Sequence, residues 1–297
     1  MGDRDMSRQL TSGVLGRKKV EELFYMASTD GTGSGENQSW GLLLPLGKTM
    51  QIIWGDGDVT DVIGDGTLTV CTHTYAVSGS YDISFGGDYL YLTQLSCHTN
   101  NLTGDVSSWS ALTNLTQLRC YTNNLTGDVS SWSALTNLTH LSCHTNNLTG
   151  DVSSWSALTK LTELRCNTNN LTGDVSSWSA LTNLNHLRCH ANNLTGDVSS
   201  WSALTNLTQL RCHTNNLTFD SVSFYGLNNS TILMYSTGFN STHVNNALKS
   251  FAGDATTNIT NSSIHLAGTN AVRTSDSDAA VADIEDPARG NSLTVNS

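Results

Sequence analysis

Leu92–Asn114 reads LTQLSCHTNNLTGDVSSWSALTN. The pattern restarts at Leu115, Leu138, Leu161 and Leu184, and a sixth copy begins at Leu207 and drifts after Thr218. Cys97, Cys120, Cys143, Cys166, Cys189 and Cys212 therefore stand 23 residues apart. A fixed period of this size means that each unit buries its apolar face only against its neighbours in a stack. Within the unit, Leu95 and Cys97 alternate with polar residues, as in a strand with one buried face. A polar turn and the Ser-Ser-Trp-Ser-Ala-Leu segment then return the chain to the next strand. Stacked units form a parallel sheet with strands ~4.8 Å apart. Asn100, Asn123, Asn146, Asn169, Asn192 and Asn215 sit at one turn position, where an amide can bond the backbone of adjacent coils.

The unit pattern L-x-x-L-x-C-x-x-N-x-L-T-G resembles the leucine-rich repeat, with Cys at the third apolar position. Its N-x-L-T-G stretch is similar to the plant-type subclass, with Asp-Val in place of the following Ile-Pro. The resemblance covers Leu92 to about Leu217. It implies a mixed α/β repeat solenoid whose parallel sheet lines a concave surface, the usual binding face of such proteins.

Both ends of a solenoid need covering. On the C-terminal side, Ile232–Tyr235, Ser263–Leu266 and Ser292–Val295 read as strands. A helix capped by Asn240 or Ser241 runs to about Ala252 with Val244, Leu248 and Phe251 on one face, and Ser275–Ile284 reads as a second helix. On the N-terminal side, Trp54-Gly55-Asp56-Gly57, His73-Thr74-Tyr75 and the alternating Tyr81, Ile83 and Phe85 resemble a PKD-like β-sandwich domain. Lys18–Met26 reads as a short helix and Ser28–Gln38 as a Gly/Ser/Thr-rich linker. The expected organisation is an attachment segment and linker at 1–38, a PKD-like β-domain at 39–90, leucine-rich repeats at 91–230 and a strand–helix cap of degenerate repeats at 231–297.

Unit positions 9–22 are identical in the five full copies, so the differences carry information. They fall mainly on positions 3, 5 and 7. These read Gln94, Ser96 and His98; Gln117, Arg119 and Tyr121; His140, Ser142 and His144; Glu163, Arg165 and Asn167; His186, Arg188 and His190; and Gln209, Arg211 and His213. Positions 4 and 6 point into the core, so positions 3, 5 and 7 point out of the opposite sheet face. Free drift of solvent-facing residues would give the same scatter, but exposed Thr and Ser positions elsewhere in the unit have not drifted. These residues, Ser142 excepted, are the candidate ligand-binding set. Arg119, Arg165, Arg188 and Arg211 share one column with Glu163 as the lone acid on the face, a pattern that suits carboxylate, phosphate or hydroxyl-rich ligands.

Other columns admit blander readings. The stacked cysteines take a position normally held by Leu and read as buried thiols rather than disulfides. The His column lacks the three or four converging ligands of a zinc site. The Asp105, Asp128, Asp151, Asp174 and Asp197 column reads as turn-closing carboxylates, with Ca²⁺ as the alternative. The five repeat tryptophans read as packing beneath the sheet, with an exposed glycan ladder as the alternative. Asn-Leu-Thr recurs because the repeat recurs, and gives no reading of glycosylation.

The chain has 297 residues, 37% hydrophobic and 13% charged, with formal net charge −11. Typical domains are roughly 45–50% apolar and about 25% charged. A linear core made of thin Leu, Cys, Val and Trp columns accounts for the low apolar content. No apolar run approaches the ~20 residues of a membrane helix. Fourteen basic against 25 acidic residues disfavour nucleic acid as a partner. No cofactor or metal is implied, and no catalytic motif is present. The expectation is a non-catalytic recognition or adhesion protein that binds an acidic polysaccharide or a protein on the concave face. The PKD-like resemblance and a start without an apolar leader suggest a phage virion surface component; an extracellular or cell-surface protein is the alternative. The expected partners are a host-surface glycan or protein and, through the N-terminal segment, other virion or filament subunits in an oligomeric assembly. A structural subunit of a filament or capsid decoration without a ligand is the second reading.

Overall fold

The computed structural model describes residues 24–29, 37–220, 231–234, 241–252, 263–265, 281 and 292–294. The repeats form coils. Each contributes a short strand: Gln94–Ser96, Gln117–Arg119, His140–Ser142, Glu163–Arg165, His186–Arg188 and Gln209–Arg211. Adjacent strands are parallel and in register, so Leu95, Leu118, Leu141, Leu164, Leu187 and Leu210 form one inward column. All six, and the six repeat cysteines, are buried.

Each coil returns through a 3₁₀ turn, such as Ser130–Ala134, that carries the repeat tryptophan inward. Trp109, Trp132, Trp155, Trp178 and Trp201 are fully buried and stack with ring centroids 6.1–6.4 Å apart. Each indole N–H from Trp132 onward donates to the valine carbonyl of the preceding coil, as Trp155 Nε1 does to Val129 O at 3.0 Å. Burial of a large aromatic with its polar atom satisfied is strongly favourable, and here it recurs once per coil.

The asparagine ladder fastens the opposite corner. Asn146 Oδ1 accepts from Leu125 N at 3.1 Å, while Nδ2 donates to Cys120 O and Cys143 O. One amide thus satisfies backbone groups of two coils that no strand partner reaches. The Asp column closes turns: Asp151 Oδ1 accepts from Ser153 N at 2.9 Å, and that bond holds its carboxyl below the usual range. Gly150 has φ 116°, and an added Cβ would collide with the Asp128 carboxylate of the coil before it. The N-x-L-T-G stretch, read from sequence as turn, also pairs in places, as in the sheet Thr172–Asp174, Asn193–Asp197 and Asn216–Thr218.

The N-terminal unit contains β1 (Phe24–Thr29), β2 (Asn37–Leu43), β3 (Thr49–Ile53), β4 (Val59–Ile63), β5 (Leu68–Thr74) and β6 (Asp82–Gly87). β1, β6, β3 and β4 form one sheet, and β2 pairs with β5 in a second. Trp40, Trp54, Ile52, Ile83, Tyr75 and Phe85 are buried in this unit. The two sheets run on into the solenoid. β2 pairs antiparallel with Gln94–Ser96, and β1 pairs antiparallel with Leu102–Asp105. The helix expected over Lys18–Met26 gives way to a strand at Phe24–Met26, because that segment pairs with β6 and Met26 O accepts from Trp109 Nε1 of the first coil. Ser28 and Thr29, expected in a linker, belong to the same strand, and Thr29 is buried.

On the C-terminal side, strands Thr231–Leu233, Ser263–His265 and Ser292–Thr294 add in parallel beyond Gln209–Arg211. Helix α1 (Ser241–Ala252) buries Val244, Ala247 and Leu248. Most of the expected helix Ser275–Ile284 lies outside the described residues. Among the described residues, the long sheet has 11 strands and is mostly parallel, and no helix is long and apolar enough to cross a membrane.

Candidate functional site

Register places the candidate residues in three rows on the outer face of the long sheet. The first row is Gln94, Gln117, His140, Glu163, His186 and Gln209, and the second is Ser96, Arg119, Ser142, Arg165, Arg188 and Arg211. Position 7 gives the third row: His98, Tyr121, His144, Asn167, His190 and His213. Except for exposed Arg119 and buried Ser142, these side chains are half-buried.

The third row is ordered by ring stacking. His98, Tyr121 and His144 stack with centroids 4.3 and 4.6 Å apart, and His190 stacks on His213 at 4.3 Å. The next residue in each unit orients this row. Thr99, Thr145 and Thr214 adopt φ 56–58°, and their hydroxyls lie 3.2–3.3 Å from the Nδ1 atoms of His98, His144 and His213. β-branched residues rarely occupy this left-handed region. Unit five has Ala191 instead, and His190 Nδ1 is buried with no hydrogen-bond partner. Desolvation, then His213, Arg211 and Arg188, push the His190 pKa down to about 4, so the ring is neutral at pH 7. Desolvation also lowers His98, aided by Arg119, and His144, aided by Arg165 and Arg188.

The second row concentrates positive charge. Arg165, Arg188 and Arg211 are strand neighbours, a like-charge arrangement that destabilises a sheet. Glu163 Oε1 pairs with Arg165 Nε at 2.8 Å, and its other oxygen lies 4.0 Å from His186 Nδ1. Arg188 Nε donates to Gln209 Oε1 at 2.8 Å. Arg211 Nε is buried without a hydrogen-bond partner. Desolvation and the flanking Arg165 and Arg211 pull the Arg188 pKa down. The arrangement offers guanidinium forks to an anion while Glu163 and Gln209 hold two of them in place.

The sheet face does not stop at the first repeat. In register, Gly41 and Val70 extend the row of Ser96, and Leu43 and Leu68 extend the row of Gln94. These residues were absent from the sequence-predicted set. The alternation within each strand was readable, but their lateral pairing with the solenoid had no local signal. A cleft of about 460 Å³ opens at this junction, lined by Gly41, Leu68 and Val70 on one side and Ser96, Gln117 and Arg119 on the other.

The remaining columns are structural. The repeat thiols are free and buried, and burial pushes them upward, Cys143 to about 12. The buried tryptophan column offers no ring to a glycan. Among the described residues, the group able to hold a metal is Asp56, Asp58 and His73. There His73 Nε2 lies 2.8 Å from Asp56 Oδ2, and the ring stacks on Trp54 with centroids 4.9 Å apart.

A family model described as leucine-rich repeats in two copies matches residues 136–180. No curated protein matches the chain. Among solved structures, the chain is similar to the plant peptide hormone receptor RGFR1 in complex with RGF2, at 22% identity and TM-score 0.51, covering 68% of this chain and 32% of that one. It is also similar to a TDR receptor at 22% identity and TM-score 0.50, over 68% and 34% of the two chains. The Arabidopsis receptor kinase HAESA ectodomain, in complex with an N-terminally extended IDA peptide hormone ligand, matches at 18% identity and TM-score 0.50, also over 68% and 34%. The chain spans about a third of the length of these structures. The fold is that of a leucine-rich-repeat solenoid.

Proposed function

We propose that this chain is a non-catalytic recognition protein that binds an anionic ligand, an acidic polysaccharide or a protein, across the exposed face of its long sheet. The observation that carries the reading is the in-register row Arg165, Arg188 and Arg211 on a chain of formal net charge −11. Like charges on adjacent strands weaken a sheet, and this row sits where the repeats diverge. The residues of the face are Gln94, Ser96, His98, Gln117, Arg119, Tyr121, His140, His144, Glu163, Arg165, Asn167, His186, Arg188, His190, Gln209, Arg211 and His213. The receptors of similar fold whose complexes hold peptide hormones agree with a protein ligand and an extracellular or cell-surface setting. The PKD-like pattern of the N-terminal unit supports placement on a virion surface, with the segment before β1 as the attachment element, β1 to β6 as the PKD-like unit, 91–230 as the binding repeats and 231–297 as the cap. Binding to a panel of acidic glycans and surface proteins tests the reading. Arg165→Ala and Arg188→Ala are expected to lower binding about tenfold each, and equal binding by both variants and the parent refutes it.

A structural role in an assembly is the second reading, and one observation favours it. The exposed large apolar side chains among the described residues, Leu46 to Tyr91, all belong to the N-terminal unit or its junction with the first coil. Apolar side chains exposed on one end of the chain suit contact with other subunits.

A further inference from the structure

Resting on the proposed binding face, we infer that the ligand is an extended peptide and that the N-terminal unit supplies its apolar anchor site at Gly41. Three observations converge on this site. First, the outer sheet face continues in register across β2 and β5, so the unit that closes the solenoid also lengthens the face. Second, the face is shallow where β2 meets the first repeat, because Gly41 and Ser96 are paired there. Third, one wall of the cleft is aliphatic while Ser39, Gln94, Gln117 and Arg119 line the rest: Leu68 and Val70 are 53% and 61% exposed, and no large apolar side chain of the described repeats is exposed. Apolar surface left open beside a concavity marks a contact site.

The face therefore changes character along its length. It begins at a cleft with one aliphatic wall, passes the His98–Tyr121–His144 stack and ends at the Arg165–Arg188–Arg211 row. Leu68 and Val70 offer no aromatic plane to a sugar, so a peptide side chain is the occupant that fits the cleft. Charge complementarity fixes the other end as acidic. About four to five strand spacings separate the cleft from Arg188, or about 20 Å. An extended peptide covers that distance in about six residues. The ligand class is thus an extended segment with an aliphatic or aromatic side chain about six residues from an acidic one.

Gly41 makes the inference testable without unfolding the protein. Its φ is not in the left-handed region, and an added Cβ would meet Ser96 Cβ at 3.4 Å and Leu68 Cδ1 at 3.6 Å, ordinary contacts. The probe is a displayed library of random twelve-residue peptides selected on the full chain. Enriched peptides are then measured against the parent, Gly41→Leu, Val70→Ser and Arg188→Ala. The expected result is enrichment of the apolar-to-acid spacing, with at least a tenfold loss on Gly41→Leu, a few-fold loss on Val70→Ser and about tenfold on Arg188→Ala. Peptides that respond to Arg188→Ala but to neither cleft variant overturn the anchor site and leave the binding face standing. Peptides that respond to none of the variants overturn both. Failure of any peptide to enrich, with an acidic polysaccharide still bound in an Arg188-dependent manner, overturns the peptide and keeps the face.

Discussion

Replacing Asn146 by Leu tests whether the asparagine ladder holds the coils together. The two side chains have similar size, so the change removes hydrogen bonds and leaves packing largely intact. Asn146 is buried and makes three bonds of 3.0–3.1 Å to backbone groups, Leu125 N, Cys120 O and Cys143 O, with a longer fourth to His144 O at 3.4 Å. The carbonyls lose less than the amide. Cys120 O keeps Asn123 Nδ2, and Cys143 O keeps Asn169 Nδ2. Leu125 N–H keeps nothing, and an orphaned buried donor costs about 1–3 kcal/mol. The two lost carbonyl bonds add about 0.5–1.5 kcal/mol each. The expected destabilisation is about 3–4 kcal/mol, read as a lower urea midpoint at unchanged m-value. The corresponding fall in Tm is roughly 10 °C. Asn147, exposed beside it, is the control: Asn147→Ser is expected to change stability by less than about 0.5 kcal/mol. A loss below about 1 kcal/mol for Asn146→Leu would mean that the coils close their own backbone groups, and would refute the ladder as their fastening.

Thr145 sits at φ 58°, where a β-branched residue costs about 1–2 kcal/mol and Asn is tolerated. Thr145→Asn is expected to raise stability by up to about 1 kcal/mol in urea unfolding; a loss instead would show that the hydroxyl's contact with His144 outweighs the strain. The His190 pKa is depressed from 6.5 to about 4, mainly by desolvation, so between those values the unfolded chain binds more protons than the folded one. Stability from this group is therefore full above pH 6.5 and falls as pH drops toward 4. His190→Asn, which copies Asn167 one unit earlier, is expected to flatten the decline in urea midpoint between pH 7 and 5.5; parallel declines in parent and variant would show that His190 does not titrate there.

The 23-residue period made the repeat region legible because each interior coil meets only coils of its own sequence. Leu95 and Cys97 point inward and Gln94, Ser96 and His98 outward, as a half-buried strand requires. The invariant Trp and Asn columns were readable as packing and turn bonding for the same reason. Phe24–Met26 failed because its partners, β6 and the first coil, lie far away in sequence. Apolar spacing in so short a segment fits helix or strand alike, and tertiary pairing decides. The site was legible where it is repeat and illegible where it is cap: Gly41 and Val70 reach the binding face only through lateral pairing.

That pairing follows from how the cap substitutes for a missing coil. In every interior coil the asparagine bonds the backbone of the coil before it, and the tryptophan donates to a valine carbonyl there. The first coil has no predecessor, yet both bonds are made. Asn100 Oδ1 accepts from Ser39 N at 2.9 Å, and its Nδ2 donates to Ser39 O at 3.0 Å. Trp109 Nε1 donates to Met26 O at 2.9 Å. β1 and β2 run antiparallel to the strands they meet, so the cap reproduces the hydrogen-bonding edge of a coil without its chain direction. A cap that satisfied this edge by a loop would have ended the sheet. One that satisfies it with a strand must continue the sheet, and with it the exposed face. The cleft at Gly41, with its one aliphatic wall, is thus a consequence of how the solenoid is closed, and the chemistry of the face changes there because the residues of the cap lie outside the repeat.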